Sequence, residues 1–386
     1  MAEIQRLTEK DFPEVFALSQ FAFQYELSAE DRQKKIEETK HHKIWGWMEQ
    51  GTLAGKLHLH SLSCFLNGEK FAMGGIGNVA TWPEYRRRGI VKQLLHHALL
   101  DMKENGQTLS FLHPFSFPFY RKYGWELTFT NKHYSLPINQ LKKSWNGNGY
   151  VRRSKKDIAL LDSLYSRFAK NYNGMLVRDE RWWQQRVLTG NDQIAVSYNE
   201  QGEAGGYLIY HVKNDVLIVE EFVYLSLNAW RLFMQFIANH DSMVEKVEMV
   251  VPENDLLPLT IDEPRFPQEV KPYFMARIVD VPEFLKAYPF RFEKGKLPVY
   301  LHVEDDFFPD NAGGYRIDGG EIVRTEKPNP DEESIFCTIQ QLTVMFLGTR
   351  RPLALYAAGL INGSRRAVER LEEILPVRQT YLTDFF

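Results

Sequence analysis

The chain has 386 residues, a formal net charge of -3 and two cysteines, and its 44% hydrophobic and 25% charged content is that of a folded globular protein with more than one core. The slightly acidic balance excludes the basic footprint of a nucleic-acid binder, and two distant cysteines exclude a disulfide framework or a cysteine zinc site. No run approaches the roughly 20 apolar residues of a membrane span, and the charged start MAEIQRLTEKDF lacks a leader core, so a cytoplasmic location is expected.

Helices are expected over Asp11 to Phe23 and Ala29 to Lys40, and strands over Leu53 to Leu66 and Glu69 to Thr81. Asn67-Gly68 joins the two strands, because that dipeptide tolerates the positive φ angles of a tight hairpin. Val79 to Leu95, VATWPEYRRRGIVKQLL, then carries a strand end through a Pro-Glu turn and an Arg/Gly loop into a helix. Val91, Leu94, Leu95, Ala98, Leu99 and Met102 form one apolar stripe on that helix, to face a sheet. Thr108 to Leu112 predicts a short strand, Pro118 to Gly124 a single helical turn, and Asn131 to Pro137 the last strand before a border in the polar segment Lys142 to Tyr150.

The second third repeats this plan. Helices at Lys156 to Lys170 and Asp179 to Val187 precede strands at Gln193 to Tyr198, Gly206 to Lys213 and Val216 to Tyr224, and a further helix carries Ala229, Leu232, Phe233, Phe236 and Ile237. Where the first copy has Arg-Arg-Arg-Gly this one has Leu225-Ser226-Leu227-Asn228, so a degenerate duplicate is expected. The last third reads as α+β, with strands at Pro298 to Val303 and Gly314 to Ile317, a polar linker at Thr325 to Ser334, and helices at Ile339 to Phe346 and Arg365 to Ile374. It closes on Phe385-Phe386, and such an apolar end predicts a docked tail.

The chemistry concentrates in the first third. Backbone N–H groups at a helix N-terminus are unpaired and carry the positive end of the helix dipole, so Arg86, Arg87, Arg88 and Gly89, leading into Ile90 and Val91, make an anion cradle. No Walker A or dinucleotide fingerprint fits, since Gly74-Gly75-x-Gly77 precedes a strand end instead of opening a helix; it marks a bulge or a close approach to backbone. Tyr120 lies on the short turn Phe119-Tyr120-Arg121-Lys122-Tyr123-Gly124, bounded by Pro118 and Gly124. His58 and His60 share one strand face, and His41, His42, His96, His97 and His113 add nitrogens, but none supplies a third ligand at metal spacing. No metal site is expected there. Cys64 and Cys337 read as buried thiols, Trp45, Trp47, Trp182 and Trp183 as packing residues, and His113 stands at the end of the Thr108 to Leu112 strand.

The Arg86 to Val91 loop resembles the acetyl-CoA pyrophosphate loop of the GNAT acetyltransferase superfamily, Gln/Arg-x-x-Gly-x-Gly/Ala, with Val91 in the last small position. Phe119 to Gly124 resembles the same superfamily's Phe-Tyr-x-x-x-Gly turn. Together with a second unit lacking the loop, an α+β tail and a final Asp-Phe-Phe, the whole chain is similar to the Eis family (enhanced intracellular survival acetyltransferases).

That resemblance implies a mixed α+β architecture of tandem GNAT folds, the N-terminal one active (1-148) and the central one degenerate (149-284), followed by a sterol-carrier-protein-like domain (285-386). It implies acetyl-CoA as co-substrate, held by Val79, Ala80, Thr81, Arg86, Arg87, Arg88, Gly89, Ile90 and Val91. Tyr120 would protonate the departing thiolate, and the carboxylate of Phe386, reaching into the first domain, would handle the amine. Direct abstraction by that carboxylate is steeply uphill, since an α-carboxyl has a reference pKa near 3.5 and an alkylammonium near 10. The expected activity is N-acetyl transfer to a primary amine (aminoglycoside, polyamine, lysine or peptide) by direct attack in a ternary complex. A non-catalytic acyl-CoA or lipid carrier is the alternative. A homo-oligomer is expected, with a hexamer as one form, and no metal, nucleic-acid or membrane partner.

Overall fold

The computed structural model describes residues 2–292, 297–325 and 333–386, and most of the linker expected over Thr325 to Ser334 lies outside them. Three sheets organise the chain. The first has seven strands in the order Ala2–Leu7, Lys43–Glu49, Thr52–Leu66, Glu69–Thr81, Leu109–Leu112, Met275–Ile278, Glu126–Leu127. Its central hairpin turns at Asn67 and Gly68, with φ of 53° and 90°, as the dipeptide requires. The helix Ile90–Glu104 lays the expected stripe on one face, where Leu94, Leu95, Ala98, Leu99 and Met102 are buried with Leu57, Leu59 and Ile76.

The second sheet runs Gln268–Pro272, Thr130–Pro137, Lys246–Val251, Val216–Tyr224, Ala204–Lys213, Gln193–Tyr198, Tyr150–Ser154. It mirrors the first strand for strand. In each sheet one parallel pair, Glu69–Thr81 with Leu109–Leu112 and Val216–Tyr224 with Lys246–Val251, follows an antiparallel meander and precedes an inserted antiparallel strand. The inserted strands are exchanged. Thr130–Pro137, expected to complete the first unit, is bonded to Lys246–Val251 and Gln268–Pro272 of the second sheet. Met275–Ile278 sits between Leu109–Leu112 and Glu126–Leu127 of the first. Hydrogen bonding therefore crosses the border expected after residue 148.

The third sheet, Glu321–Thr325, Gly313–Asp318, Val299–Glu304, Ser334–Thr338, Asn362–Gly363, carries the helices Ile339–Leu347 and Arg365–Ile374. Its core is continuous with the first sheet: Leu301, Leu342 and Phe346 share one cluster with Phe71, Phe111, Phe274 and Phe386. Arg277, buried in the exchanged strand, donates to Tyr123 O and pairs with Asp305, tying the two domains together. Cys64 and Cys337 are free and buried. Among the described residues no helix is long and apolar enough to cross a membrane.

Candidate active site

The strand Glu69–Thr81 changes character halfway along. Its parallel ladder with Leu109–Leu112 ends at Ile76, and its antiparallel register with Thr52–Leu66 slips between His58↔Gly77 and Lys56↔Ala80. Asn78 and Val79 form the resulting bulge, with Asn78 at a φ of 52°. From Gly77 to Thr81 one edge of the strand thus faces a gap, with its amides lining it. The three glycines just before explain themselves sterically. Gly74 makes room for Met102 and Leu59, Gly75 for the ring of Phe386, and Gly77 for His60 and the carboxyl end of Phe386. The close approach expected at this Gly-rich stretch is made by the chain's own last residue.

Beyond the bulge, Pro83–Tyr85 forms one turn, Arg87 and Gly89 take left-handed φ angles of 64° and 78°, and the helix Ile90–Glu104 begins. Arg86, Arg87, Arg88 and Gly89 are exposed, Ile90 is buried and Val91 packs half-buried on the core. Among the described residues no side chain caps this helix, and its first turn holds no acidic residue, so its N–H groups are left open to an anion. Arg86 Nε donates to Thr81 O at 3.4 Å, while Arg88 leans on Glu49 at 3.3 Å and on the Tyr85 ring. The counterpart in the second unit differs in kind. There Ser226 caps the helix Leu227–Ala238 by accepting from Ala229 N at 3.1 Å, so its own side chain fills the position that the first unit leaves open.

Tyr120 lies in the short helix Phe117–Arg121, which follows the strand Leu109–Leu112 and is stopped by Gly124 at a φ of 89°. It is buried, with Phe119 and Phe115 rings at 5.2 and 5.5 Å, in the cluster that contains Ile76, Leu94 and Leu112. Burial pushes its hydroxyl well above the ordinary tyrosine value, so it stays protonated at neutral pH.

The tail reaches this strand from the far end of the chain. Residues 379–381 run beside Asn173, whose N–H donates to Gln379 O and whose carbonyl accepts from Tyr381 N. Asp384 accepts from Arg178 Nε at 3.0 Å and from Trp182 Nε1 at 2.7 Å, and its carbonyl accepts from Tyr273 at 3.0 Å. Held so, Phe386 is buried against Phe274 at 5.0 Å and His60 at 5.7 Å, whereas Phe385 is half exposed against His113 at 5.0 Å. Asp384 is therefore committed to Arg178 and cannot serve as a free acidic group for a cationic amine. Glu26 is exposed in the loop before the helix Ala29–Thr39.

One group was only half legible in the sequence. Lys56, His58 and His60 alternate along one strand and share its face, and His42 joins them from the neighbouring strand's start. His42 Nδ1 and His58 Nδ1 are 3.3 Å apart, His58 Nε2 is 3.2 Å from Lys56 Nζ, and Lys56 Nζ donates to Asn78 O in the bulge at 3.1 Å. Burial lowers Lys56 to about 7, His42 to about 3, and His58 and His60 well below the ordinary histidine value. Among the described residues no group of side chains has the geometry of a metal site.

The residues present fit acetyl-CoA. The bulged strand offers amides, the Arg86 to Gly89 loop and an uncapped helix offer an anion site, and Thr81 Oγ1 is buried beside them without a hydrogen-bond partner among the described residues. Comparison with known proteins agrees. Residues 3–128 and 174–278 each match an acetyltransferase (GNAT) domain family, and residues 281–383 match a sterol carrier protein domain. An uncharacterized N-acetyltransferase of Streptomyces avermitilis is 23% identical over 343 residues, covering 80% of this chain and 79% of that one. N-acetyltransferase Eis of Mycobacterium tuberculosis is 23% identical over 311 residues, covering 75% and 74%. Among solved structures, a conserved protein of unknown function and probable N-acyltransferase from Enterococcus faecalis superposes with a TM-score of 0.92 at 27% identity over the whole of both chains. Eis1 from Mycobacterium abscessus shares the fold over 100% of both chains, with a TM-score of 0.84 at 20% identity.

Proposed function

The chain belongs to the GNAT acetyltransferases, in the Eis-like order of two GNAT domains and a sterol-carrier domain, and on that premise we propose that it acetylates a primary amine by direct attack on acetyl-CoA in its first domain. The observation that carries this reading is the carboxyl group of Phe386 beside Gly77, where the strand Glu69–Thr81 has lost its parallel partner and is about to bulge. An anionic group at that point suits a cationic acceptor.

Each residue then has a task. Acetyl-CoA supplies an activated acetyl group, and the amides of Val79, Ala80 and Thr81 hold it and stabilise the oxyanion that forms on its carbonyl. Arg86, Arg87, Arg88 and the N–H groups from Gly89 to Val91 neutralise the pyrophosphate. The Phe386 carboxylate holds the ammonium in line, which supplies orientation. Tyr120 gives its proton to the thiolate as the C–S bond breaks, since a phenol held protonated by burial is an acid available at the moment of departure. The second domain, whose equivalent helix is capped by Ser226, binds no coenzyme and serves as scaffold for the tail. A homo-oligomer belongs to the same proposal.

The test is kinetic, with a free-thiol assay on an amine panel of kanamycin, spermidine and a lysyl peptide. Tyr120→Phe and a Gly-Ser extension after Phe386 should each lower turnover strongly while coenzyme A still raises the melting temperature. Normal turnover in both variants would sink the mechanism, and no turnover of any amine by the parent protein would sink the proposed acceptor class.

A further inference from the structure

We propose that the second domain holds a site for a small phosphate monoester, in the cavity where the strands Gln193–Tyr198 and Ala204–Lys213 meet the start of the helix Leu227–Ala238. This goes beyond the acetyl transfer assigned to the first domain and does not depend on it.

The cavity measures about 340 Å³, within the size range of small-ligand pockets. Its wall includes a β-bulge. The register of the two strands slips between Ala204 and Gly206, which leaves Gly205 without a partner across that ladder. A methyl group on Gly205 would stand 3.1 Å from the Ala229 methyl and 3.5 Å from Ser197 Oγ, so glycine keeps this corner open. Gly205 O accepts from Leu225 N at 2.9 Å, and that bond fixes the start of the helix against the bulge.

The polar groups on the lining divide into spent acceptors and open donors. Ser197 lines the cavity and is fully buried, yet its hydroxyl has no partner among the described residues. A buried hydroxyl left unpaired destabilises a fold, and alanine would fill the same place without that cost. Arg167, exposed in the last turn of the helix Ile158–Ala169, also lines the cavity and makes no ion pair among the described residues. Ser226 Oγ satisfies Ala229 N, but the N–H groups of Leu227 and Asn228, first in the helix, take no partner among the described residues. The acceptors are already used. Asn199 Oδ1 accepts from the N–H groups of Gln201 and Glu203, Glu203 Oε2 from Asn199 Nδ2 at 2.8 Å, and Asn228 Oδ1 from Asn148 N at 2.8 Å.

The open capacity is therefore that of donors, one of them a permanent cation, and its complement is an anion rich in acceptors. A guanidinium fork beside helix-end amides matches the oxygens of a phosphate in both geometry and charge. The volume is many times the ~30 Å³ share of one water, more than a bare phosphate fills. Ala229 and Leu232 give the cavity an apolar side for the carbon portion of an ester. Glu203, exposed, is the one carboxylate on the lining, and it lowers the affinity that Arg167 provides.

Isothermal titration on the full chain tests this, with coenzyme A present in excess so that the anion loop of the first domain is filled. The probes are glycerol 3-phosphate, inorganic phosphate and glycerol. Glycerol 3-phosphate should bind about tenfold or more tighter than inorganic phosphate, and glycerol should give no heat of binding. Arg167→Met should weaken the ester about tenfold. Ser197→Ala should weaken it several-fold without lowering the melting temperature, a combination that a purely structural serine would not show. Glu203→Gln removes the opposing charge and should tighten binding, less so at high salt. No binding of the ester, or equal affinity in the parent, Arg167→Met and Ser197→Ala, would overturn the site. Equal affinity for the ester and inorganic phosphate would assign the cavity to the free ion and overturn the ester. These variants locate the ligand by direct binding, so a chain that acetylates no amine yet binds the ester here would sink the reading of the first domain alone.

Discussion

Arg178 holds Asp384 with Nε 3.0 Å from Oδ1, while Nη2 of the same guanidinium sits 2.6 Å from Glu221 Oε1, with all three side chains buried. This single cation neutralises two carboxylates from different parts of the chain, and one of them is two residues from Phe386. Tyr165 and Tyr207 supply further hydrogen bonds to the pair. Arg178→Met therefore leaves two buried carboxylates uncompensated and should cost about 3–5 kcal/mol, read by urea denaturation. Asp384→Asn keeps the hydrogen-bonding shape and should cost less, yet still loosen the tail, so that turnover falls further than stability does.

Gly75 is where the tail and the strand touch. A methyl group there would stand 2.6 Å from Cε2 of Phe386, so Gly75→Ala must displace that ring. The expected outcome is a loss of amine turnover of about tenfold or more, as displaced catalytic groups show. Carboxypeptidase should trim the variant's tail faster than the parent's, and coenzyme A binding should be unchanged.

Lys56 gives the fold a pH dependence of definite sign. Its folded pKa of about 7 lies below the unfolded value near 10.4, so between those limits the unfolded chain binds a proton that the folded chain has given up. Its contribution to stability is complete above the unfolded value and is lost as pH falls through 7. Lys56→Met, which lacks the charge, should exceed the parent in stability at pH 7, and that advantage should shrink by about 1 kcal/mol per pH unit towards pH 9. Urea denaturation at the two pH values checks this; a constant difference would show that Lys56 stays charged in the fold.

Arg86 and Arg87 are exposed and Arg88 already spends its charge on Glu49 and the Tyr85 ring. Arg86→Ala and Arg87→Ala should each raise the KM for acetyl-CoA several-fold, less so at high salt, with stability changed by no more than about 0.5 kcal/mol. Arg88→Ala should have the smallest effect of the three. Isothermal titration with coenzyme A at two ionic strengths ranks them.

What the sequence disclosed was what is local. The hairpin at Asn67-Gly68, the apolar stripe from Leu94 to Met102 and the Arg86 to Gly89 loop each depend on residues within a few positions of one another. Met275–Ile278 gives no such local signal because it is short and holds Arg277, a charge whose partners Tyr123 and Asp305 lie far from it along the chain. The pairing of Arg178 with Asp384 spans 206 positions and leaves no periodic trace. Lys56, His58 and His60 share one strand face by simple alternation, but His42 becomes their neighbour only through the sheet's register.

The exchange of Thr130–Pro137 and Met275–Ile278 between sheets also dictates an order of assembly. A domain at the start of a chain ordinarily folds as it leaves the ribosome, but the first sheet here has a gap beside Leu109–Leu112 until Ile278 has been made. With synthesis at about 5–20 residues per second, the first sheet waits roughly 8–30 s with an inner strand position open, and its own strand Thr130–Pro137 waits for Lys246–Val251. The two halves are thus each other's last piece, and a gene divided between them would yield two chains with an unpaired strand edge apiece.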